Sequence, residues 1–378
     1  MRDIVILGST GSIGVQALEV IAANPELFRV VGLSAGGNNL TLLAKQVRDF
    51  NVPIVGVNSG AQELKSSLSG VKVIDGSGAS EQIASLTCDL VLNAITGSIG
   101  LAPTLAALAS GNKVALANKE SLVAGGDLVM AYGSEKIIPV DSEHSALFQA
   151  MSAGRVSDVS KLILTASGGP FRDRQDLSKV KLADALAHPT WSMGPVVTIN
   201  SATLVNKGLE IIEAHYLFDI AYSKIEAVIH PQSIVHSLVE FKDGSTLAQA
   251  SPPDMKGPIA YALAYPNRVG GAMAPINWNS KQSWDFEPID EKRFPAVQLA
   301  RRAGALGSSV AAIYNAANEV AVAAFMKEEI AFTAIVDTIE KVVDKLSASA
   351  PSRIRDISDV SAIEQDARIY AREVLEKG

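Results

Sequence analysis

Asp3-Ile4-Val5-Ile6-Leu7-Gly8-Ser9-Thr10-Gly11-Ser12-Ile13-Gly14 lies near the start of the chain and decides its fold class. Residues 3–7 are a short apolar run and read as a buried strand. Glycines follow at 8, 11 and 14, and then a helical pattern through Val15, Leu18 and Ile21. Strand, glycine turn and helix in this order match a variant spacing of the dinucleotide fingerprint. Its glycines let the backbone approach a pyrophosphate, and the helix start supplies oriented N–H groups. A plain tight turn also uses glycine, but placement at the first strand-to-helix turn favours a nucleotide site.

Working outward, further apolar runs occur at 29–33, 53–57, 71–75, 89–93, 113–116 and 136–140, with helical patterns between several of them, as at 101–109. This alternation predicts an α/β fold with a Rossmann-like, doubly wound parallel sheet. Ligands then bind beyond the carboxyl ends of the strands. Those ends are Gly8, residues 34–38, 94–97, 117–120 and 141–143. The last two groups are dense in charge. Asp141 and Glu143 flank Ser142 directly after a strand, and with Glu210 they offer three oxygen ligands to a hard cation. The same residues also fit a helix cap with an acid in its first turn.

After about residue 145 the pattern changes. A strand at 161–166 ends in Ser167-Gly168-Gly169-Pro170-Phe171, and strands at 225–229, 237–241 and 246–249 surround His230-Pro231-Gln232-Ser233. These predict a central α/β domain with a mixed sheet. Residues 267–288 are rich in Gly, Pro, Asn and Trp, and helical patterns recur from Phe294 onward. The expected division is 1–141 for nucleotide binding, 142–270 for catalysis and dimerisation, 271–292 as linker and 293–378 as a helical bundle.

Residues 188–216 join a loop to a helix. Pro189, Gly194 and Pro195 break regular structure around His188, Trp191 and Met193, a composition suited to a mobile lid. Asn200 and Ser201 are N-cap candidates for a helix that places Thr203, Asn206, Lys207 and Glu210 on one arc. An amphipathic helix with a solvated face after an ordinary loop fits the same pattern.

Net charge is −7, which argues against a general nucleic-acid binder. The single cysteine, Cys88, excludes an intrachain disulfide and suits a reducing compartment. The N-terminus reads as a strand rather than a signal peptide, and Asn315, Asn318 and Glu319 interrupt the most apolar late segment. A cytoplasmic setting without membrane insertion is expected.

Eight blocks carry a resemblance: GSTGSIG, LANKESLV, PVDSEHSALFQ, TASGGPF, HPTWSMG, NSATLVNKGLEIIEAHYLF, HPQSIVHSLVEF and YNAANEVAVAAF. In this order along the chain they resemble the 1-deoxy-D-xylulose 5-phosphate reductoisomerases. The resemblance implies an NADPH-dependent, homodimeric enzyme of the methylerythritol phosphate route. Its substrate is a phosphorylated ketose. The resemblance further implies that Asp141, Glu143 and Glu210 hold Mg2+ or Mn2+. Ser142, Ser167, Ser201, Asn206 and Lys207 would contact substrate, with Lys119 close to the reacting carbons. His188, Trp191 and Met193 would form the closing flap, and His230 would lie near the site. Gly8, Ser9, Thr10, Gly11, Ser12, Ile13, Gly14, Ala35, Gly36, Gly37, Asn38, Asn118, Glu120, Gly194 and Met255 would border the cofactor.

Two departures from the family's pattern stand out. The flap continues as Pro195-Val196 where basic residues are usual, and Gly37 stands where a basic residue is common. No acid closes the second strand, which favours NADPH, and an arginine at position 37 is expected to strengthen that preference. Two rival classes are a simple dehydrogenase and a non-catalytic nucleotide sensor. Both leave the three carboxylates unexplained, and Cys88, on an expected strand, is poorly placed as a nucleophile.

Overall fold

The computed structural model describes residues 1–377. The chain divides into two compact units. The first comprises Met1–Ser121, Val129–Asp141 and Asp254–Ala274; the second comprises Leu122–Leu128, Ser142–Pro253 and the chain from Pro275 onward.

Unit 1 carries seven strands: β1 (Arg2–Leu7), β2 (Phe28–Ala35), β3 (Ile54–Val57), β4 (Lys72–Asp75), β5 (Leu90–Asn93), β6 (Lys113–Leu116) and β7 (Ile137–Pro139). They pair in parallel in the order 4-3-2-1-5-6-7. Ile4 to Leu7 of β1 are completely buried, as a strand covered on both faces requires. The order reverses at β1, whose neighbours are β2 and β5, so the crevice for a ligand opens beyond Leu7. Residues 254–274 belong here rather than to the central domain. The helix Lys256–Ala264 packs on the helix Ser12–Ala22, where the Lys256 ammonium lies 2.7 Å from Glu19. The Arg2 guanidinium also donates to the carbonyls of Leu263 and Tyr265, at 3.0 and 2.9 Å.

Unit 2 holds a mixed sheet of β8 (Val159–Ala166), β9 (Ile225–Ile229), β10 (Val235–Phe241), β11 (Thr246–Ala250) and β12 (Glu287–Pro288), in the order 11-10-8-9-12. Only β8 and β9 run parallel. β12 lies in the stretch read as linker and adds an edge strand beside β9.

The C-terminal helices are Ala296–Leu306, Ser308–Met326, Ala334–Leu346 and Ile357–Lys377. They form no separate unit, because Val205–Phe218 packs into them. An added Cβ at Gly208 would lie 2.7 Å from Ala300 Cβ and 2.9 Å from the Tyr314 hydroxyl, so glycine permits the close approach. Ser308–Met326 is long and apolar enough to cross a membrane by length and composition, contrary to the sequence expectation. Its apolar window is 78% buried among its neighbours, and Arg368 pairs with its Glu319 at 2.7 Å. Each large apolar side chain it buries, such as Ile313 or Phe325, contributes about 1.5–3 kcal/mol.

Candidate active site

In unit 1, Gly8 follows β1 with φ +75°, and a Cβ there would lie 2.7 Å from the Ala94 carbonyl oxygen. A Cβ at Gly14 would lie 2.4 Å from the Gly8 carbonyl oxygen. The turn is therefore closed against side chains on two sides, a cradle shaped for backbone contact with a ligand. Gly11 is the N-cap of Ser12–Ala22. Thr10 and Ile13 are half-buried and Ser12 is exposed, whereas Ser9 is fully buried. The Ser9 hydroxyl donates to Gln46 Oε1 and its carbonyl accepts from Gln46 Nε2, both at 2.8 Å, so this side chain holds the turn rather than a nucleotide.

Ala35 ends β2, and Gly36 to Asn38 follow. Gly37 has φ +109°, and a Cβ there would lie 2.5 Å from both the carbonyl oxygen and Oγ of Ser59. Arginine at position 37 is strained in backbone and in space, which removes the gain expected of it.

At the ends of β5 and β6, the Asn118 amide donates to the carbonyls of Ile95 and Gly97 at 2.6 and 2.9 Å, and to Glu120 at 2.9 Å. Its Oδ1 accepts from the N–H and the hydroxyl of Ser121. Asn118 thus ties two strand-end loops together, and its amide is already saturated without a cofactor. Beside it, Lys119 Nζ lies 2.6 Å from Asp141 Oδ2, with both side chains largely buried. Met255 is half-buried just before the helix Lys256–Ala264.

In unit 2, the helix Ser142–Met151 presents Glu143. Ser142 Oγ donates to Glu143 Oε2 at 2.5 Å. The expected helix from Asn200 is two helices, Pro195–Ala202 and Val205–Phe218. Leu204 lies between them in the left-handed region, φ +58°. Thr203 donates back to the Ile199 and Asn200 carbonyls and accepts from the N–H of Val205, so it leaves the predicted polar arc. Ser201 sits in the last turn of the first helix. Gly194 is that helix's N-cap, followed by Pro195 at its first position.

Asn206, Lys207 and Glu210 do meet on the second helix. Lys207 Nζ donates to Glu143 Oε1 at 2.9 Å and to Glu210 Oε2, and the Asn206 amide donates to Glu210 Oε1. Burial works to lower the Lys207 pKa, but the charges of Glu143 and Glu210 outweigh it and raise it. One buried ammonium thus bridges two carboxylates.

His144 and Glu213 were not singled out by sequence reasoning. Both are buried behind Glu210: His144 Nε2 lies 2.9 Å from the Glu210 carbonyl oxygen, and its Nδ1 lies 3.1 Å from Glu213. The signal was present, since Glu213 stands three residues after Glu210 on one helix face.

His188 Nδ1 accepts from the N–H groups of Thr190 and Trp191, at 3.1 and 2.9 Å. In the neutral ring the proton therefore sits on Nε2, which donates to Ser167 Oγ at 2.9 Å. Burial lowers the His188 pKa. Ser167 Oγ also accepts from the Gly169 N–H at 3.2 Å, leaving its own proton for a further acceptor.

The Trp191 ring lies tilted against His236, centroids 6.1 Å apart. His236 is buried, and its Nε2 lies 3.1 Å from the Ser251 carbonyl oxygen. His230 is different. Its Nδ1 bonds the Asp285 carbonyl oxygen at 2.8 Å, and its Nε2 accepts from Ile234 and Val235 N–H, each at 3.1 Å. Both nitrogens serve the backbone and the ring stacks on Phe286, so the substrate contact expected of His230 has no ring atom left to make it. His236, in the same sequence block, is the histidine beside Trp191.

Known proteins resemble this chain along nearly its whole length. Residues 4–126 match the family model for 1-deoxy-D-xylulose 5-phosphate reductoisomerase, and 137–218 match its C-terminal domain model. Residues 250–370 match the model described as DXP reductoisomerase C-terminal domain. A relative from Kitasatospora griseola named 1-deoxy-D-xylulose 5-phosphate reductoisomerase is 53% identical, covering 98% of this chain and 99% of its own. A crystal structure of DOX-P reductoisomerase in complex with NADPH, fosmidomycin and magnesium superposes with TM-score 0.93 at 35% identity, covering 100% of this chain and 98% of its own. The Zymomonas mobilis enzyme in complex with NADPH gives 0.92 at 39% identity, covering 99% of each chain. By sequence along its whole length and by fold, the chain belongs to the 1-deoxy-D-xylulose 5-phosphate reductoisomerase family.

Proposed function

We propose that this chain converts 1-deoxy-D-xylulose 5-phosphate to 2-C-methyl-D-erythritol 4-phosphate with NADPH and one divalent cation, as a cytoplasmic homodimer. The observation that carries the reading is Lys207 bridging Glu143 and Glu210. Two carboxylates gathered on one buried ammonium, with Asp141 next to Ser142 in the chain, are a hard-oxygen donor set that suits Mg2+ or Mn2+. The glycine cradle at Gly8 and Gly14 likewise suits a dinucleotide. The acidic net charge and lone cysteine support a reducing cytoplasm.

When bound, the cation supplies Lewis acidity toward developing alkoxide and enolate charge, and the nicotinamide supplies hydride. Asp141, Glu143 and Glu210 would hold the cation. The chain's own residues bind, orient and shield. The Ser167 hydroxyl, with the Ser201 and Asn206 side chains, offers neutral donors to the substrate's phosphate and hydroxyls, and Lys207 adds positive charge. Neutral His188 fixes the Ser167 hydroxyl through Nε2–H and ties the Thr190-Trp191 backbone through Nδ1, linking substrate contact to the lid. Trp191 then closes over substrate and keeps water from the two fragments formed when the carbon skeleton rearranges. Lys119 would move a proton or hold charge at the reacting carbons.

The test is absorbance loss of NADPH with the pentulose phosphate and magnesium. Chelator should abolish turnover. Glu210→Gln should abolish it while circular dichroism shows the fold retained. Full activity in chelator would overturn the metal reading.

A further inference from the structure

Nucleotide folds that select a 2′-phosphate commonly place a cation at the end of the second strand, and those that select a ribose hydroxyl place an acid there. This chain has neither: residues 34–41 read Ser-Ala-Gly-Gly-Asn-Asn-Leu-Thr, and 57–61 beside them read Val-Asn-Ser-Gly-Ala. Position 37 is closed to any side chain, because Ser59 occupies the volume its Cβ needs. The N–H groups of Gly37 and Asn38 have no partner among the described residues. Ser59 Oγ, exposed, donates to the Gly36 carbonyl oxygen at 3.2 Å, a long bond that is weakly held.

We propose that Ser59 is a specificity-determining residue for the nucleotide, standing in for the missing cation. It acts in two ways. Its carbonyl oxygen and Oγ fill the space beside Gly37, which keeps position 37 a glycine at φ +109°, with the N–H groups of Gly37 and Asn38 one after the other. Its hydroxyl turns from Gly36 to the 2′-phosphate, so recognition uses three neutral donors. With no carboxylate at the strand end, a bare ribose hydroxyl finds no strong acceptor there. The inference rests on the NADPH reading above and names the residue that gives that reading its selectivity.

Calorimetric titration of adenosine 2′,5′-bisphosphate and adenosine 5′-monophosphate separates the two levels of the claim, since neither ligand requires turnover. The parent should prefer the bisphosphate. Ser59→Ala should reduce that preference by roughly 2- to 12-fold, as loss of one hydrogen bond implies, with the monophosphate affinity unchanged. Ser59→Asp should abolish or invert it through charge repulsion. The site is at the surface, so both variants should melt with the parent. If both variants keep the parent's preference while binding the monophosphate normally, Ser59 is not the determinant and the NADPH reading stands. If the parent binds neither nucleotide, the NADPH reading fails and takes this inference with it.

Discussion

Replacing Lys207 by methionine tests the charge arrangement on which the site is built. Methionine keeps most of the aliphatic stem and removes the ammonium. Lys207 is 3% exposed and Glu210 is 1% exposed, so water cannot replace what is lost. Glu210 keeps the Asn206 amide, and Glu143 keeps the Ser142 hydroxyl, but both carboxylates lose their shared cation. Breaking a buried ion pair by removing one partner costs about 3–5 kcal/mol. The Lys207 pKa is raised in the fold, so its stabilisation is complete below the unfolded-state value and is lost only as pH rises through the still higher folded value. The full loss is therefore expected at neutral pH, a fall in melting temperature of roughly 6–20 °C for a unit of this size. All three tryptophans, Trp191, Trp278 and Trp284, lie in unit 2, so fluorescence-detected melting in chelator reports on this unit alone. Glu210→Gln placed on Lys207→Met should recover about 0.5–3 kcal/mol, because it removes a buried charge that has lost the Lys207 ammonium. Magnesium should stabilise the single variant more than the parent. A single variant that melts within about 1 °C of the parent, or a double variant no better than the single, would refute the counterion role.

Gly14→Ala should lower affinity for adenosine 5′-monophosphate by at least about 10-fold and cost roughly 1–3 kcal/mol, because its Cβ meets backbone at 2.4–2.5 Å that cannot swing aside; calorimetry and melting check both. Burial pushes the Cys88 thiol up to about 11, so Ellman's reagent at pH 8 should label the native protein at least about 100-fold more slowly than the denatured chain. The His188 pKa is lowered by burial, which favours the neutral ring: its contribution is complete above the unfolded value of 6.5 and falls away below it. kcat/KM should hold its plateau down to at least pH 6.5, and its acid limb should change shape in His188→Gln; an acid limb centred above 7 that the substitution removes would contradict the neutral assignment.

The parallel sheet was legible because its strands are buried on both faces and therefore read as unbroken apolar runs; residues 3–7 and 89–93 fall on β1 and β5 almost to the residue. The helix break at Leu204 was not. No Gly, Asn or Pro marks it, and a leucine in the left-handed region costs about 1–2 kcal/mol, which only tertiary context can offset. That context is burial, for Leu204 is 2% exposed. β12 was hidden for another reason: two residues carry no period, and only pairing with β9 makes them a strand. His230 and His236 are chemically identical in the sequence. What separates them is which backbone groups each ring meets, a tertiary fact that motif reading cannot supply.

Lys119 in unit 1 and Lys207 in unit 2 share a local plan, in which each follows an asparagine. In Asn118-Lys119 the amide bonds two loop carbonyls and Glu120, and the next residue's ammonium pairs with Asp141. In Asn206-Lys207 the amide bonds Glu210, and the next ammonium pairs with Glu143 and Glu210. An ammonium on four methylenes has high rotamer entropy and no directional fork, so its own contacts fix its position poorly. A short amide has fewer rotamers and both donors and acceptors, and it fixes the backbone from which the lysine departs. The network continues inward in unit 1, where Asn93 donates to the Gly100 carbonyl and to Thr104, and Thr104 meets Ser121 at 3.0 Å. Every group in that chain is hydrogen-bonded and buried, which makes it rigid. Placement thus rests on the asparagines and charge on the lysines, and the two can be separated by mutation. A change at the asparagine should shift geometry and kcat, whereas a change at the lysine removes a positive charge and should shift the affinity for a divalent cation.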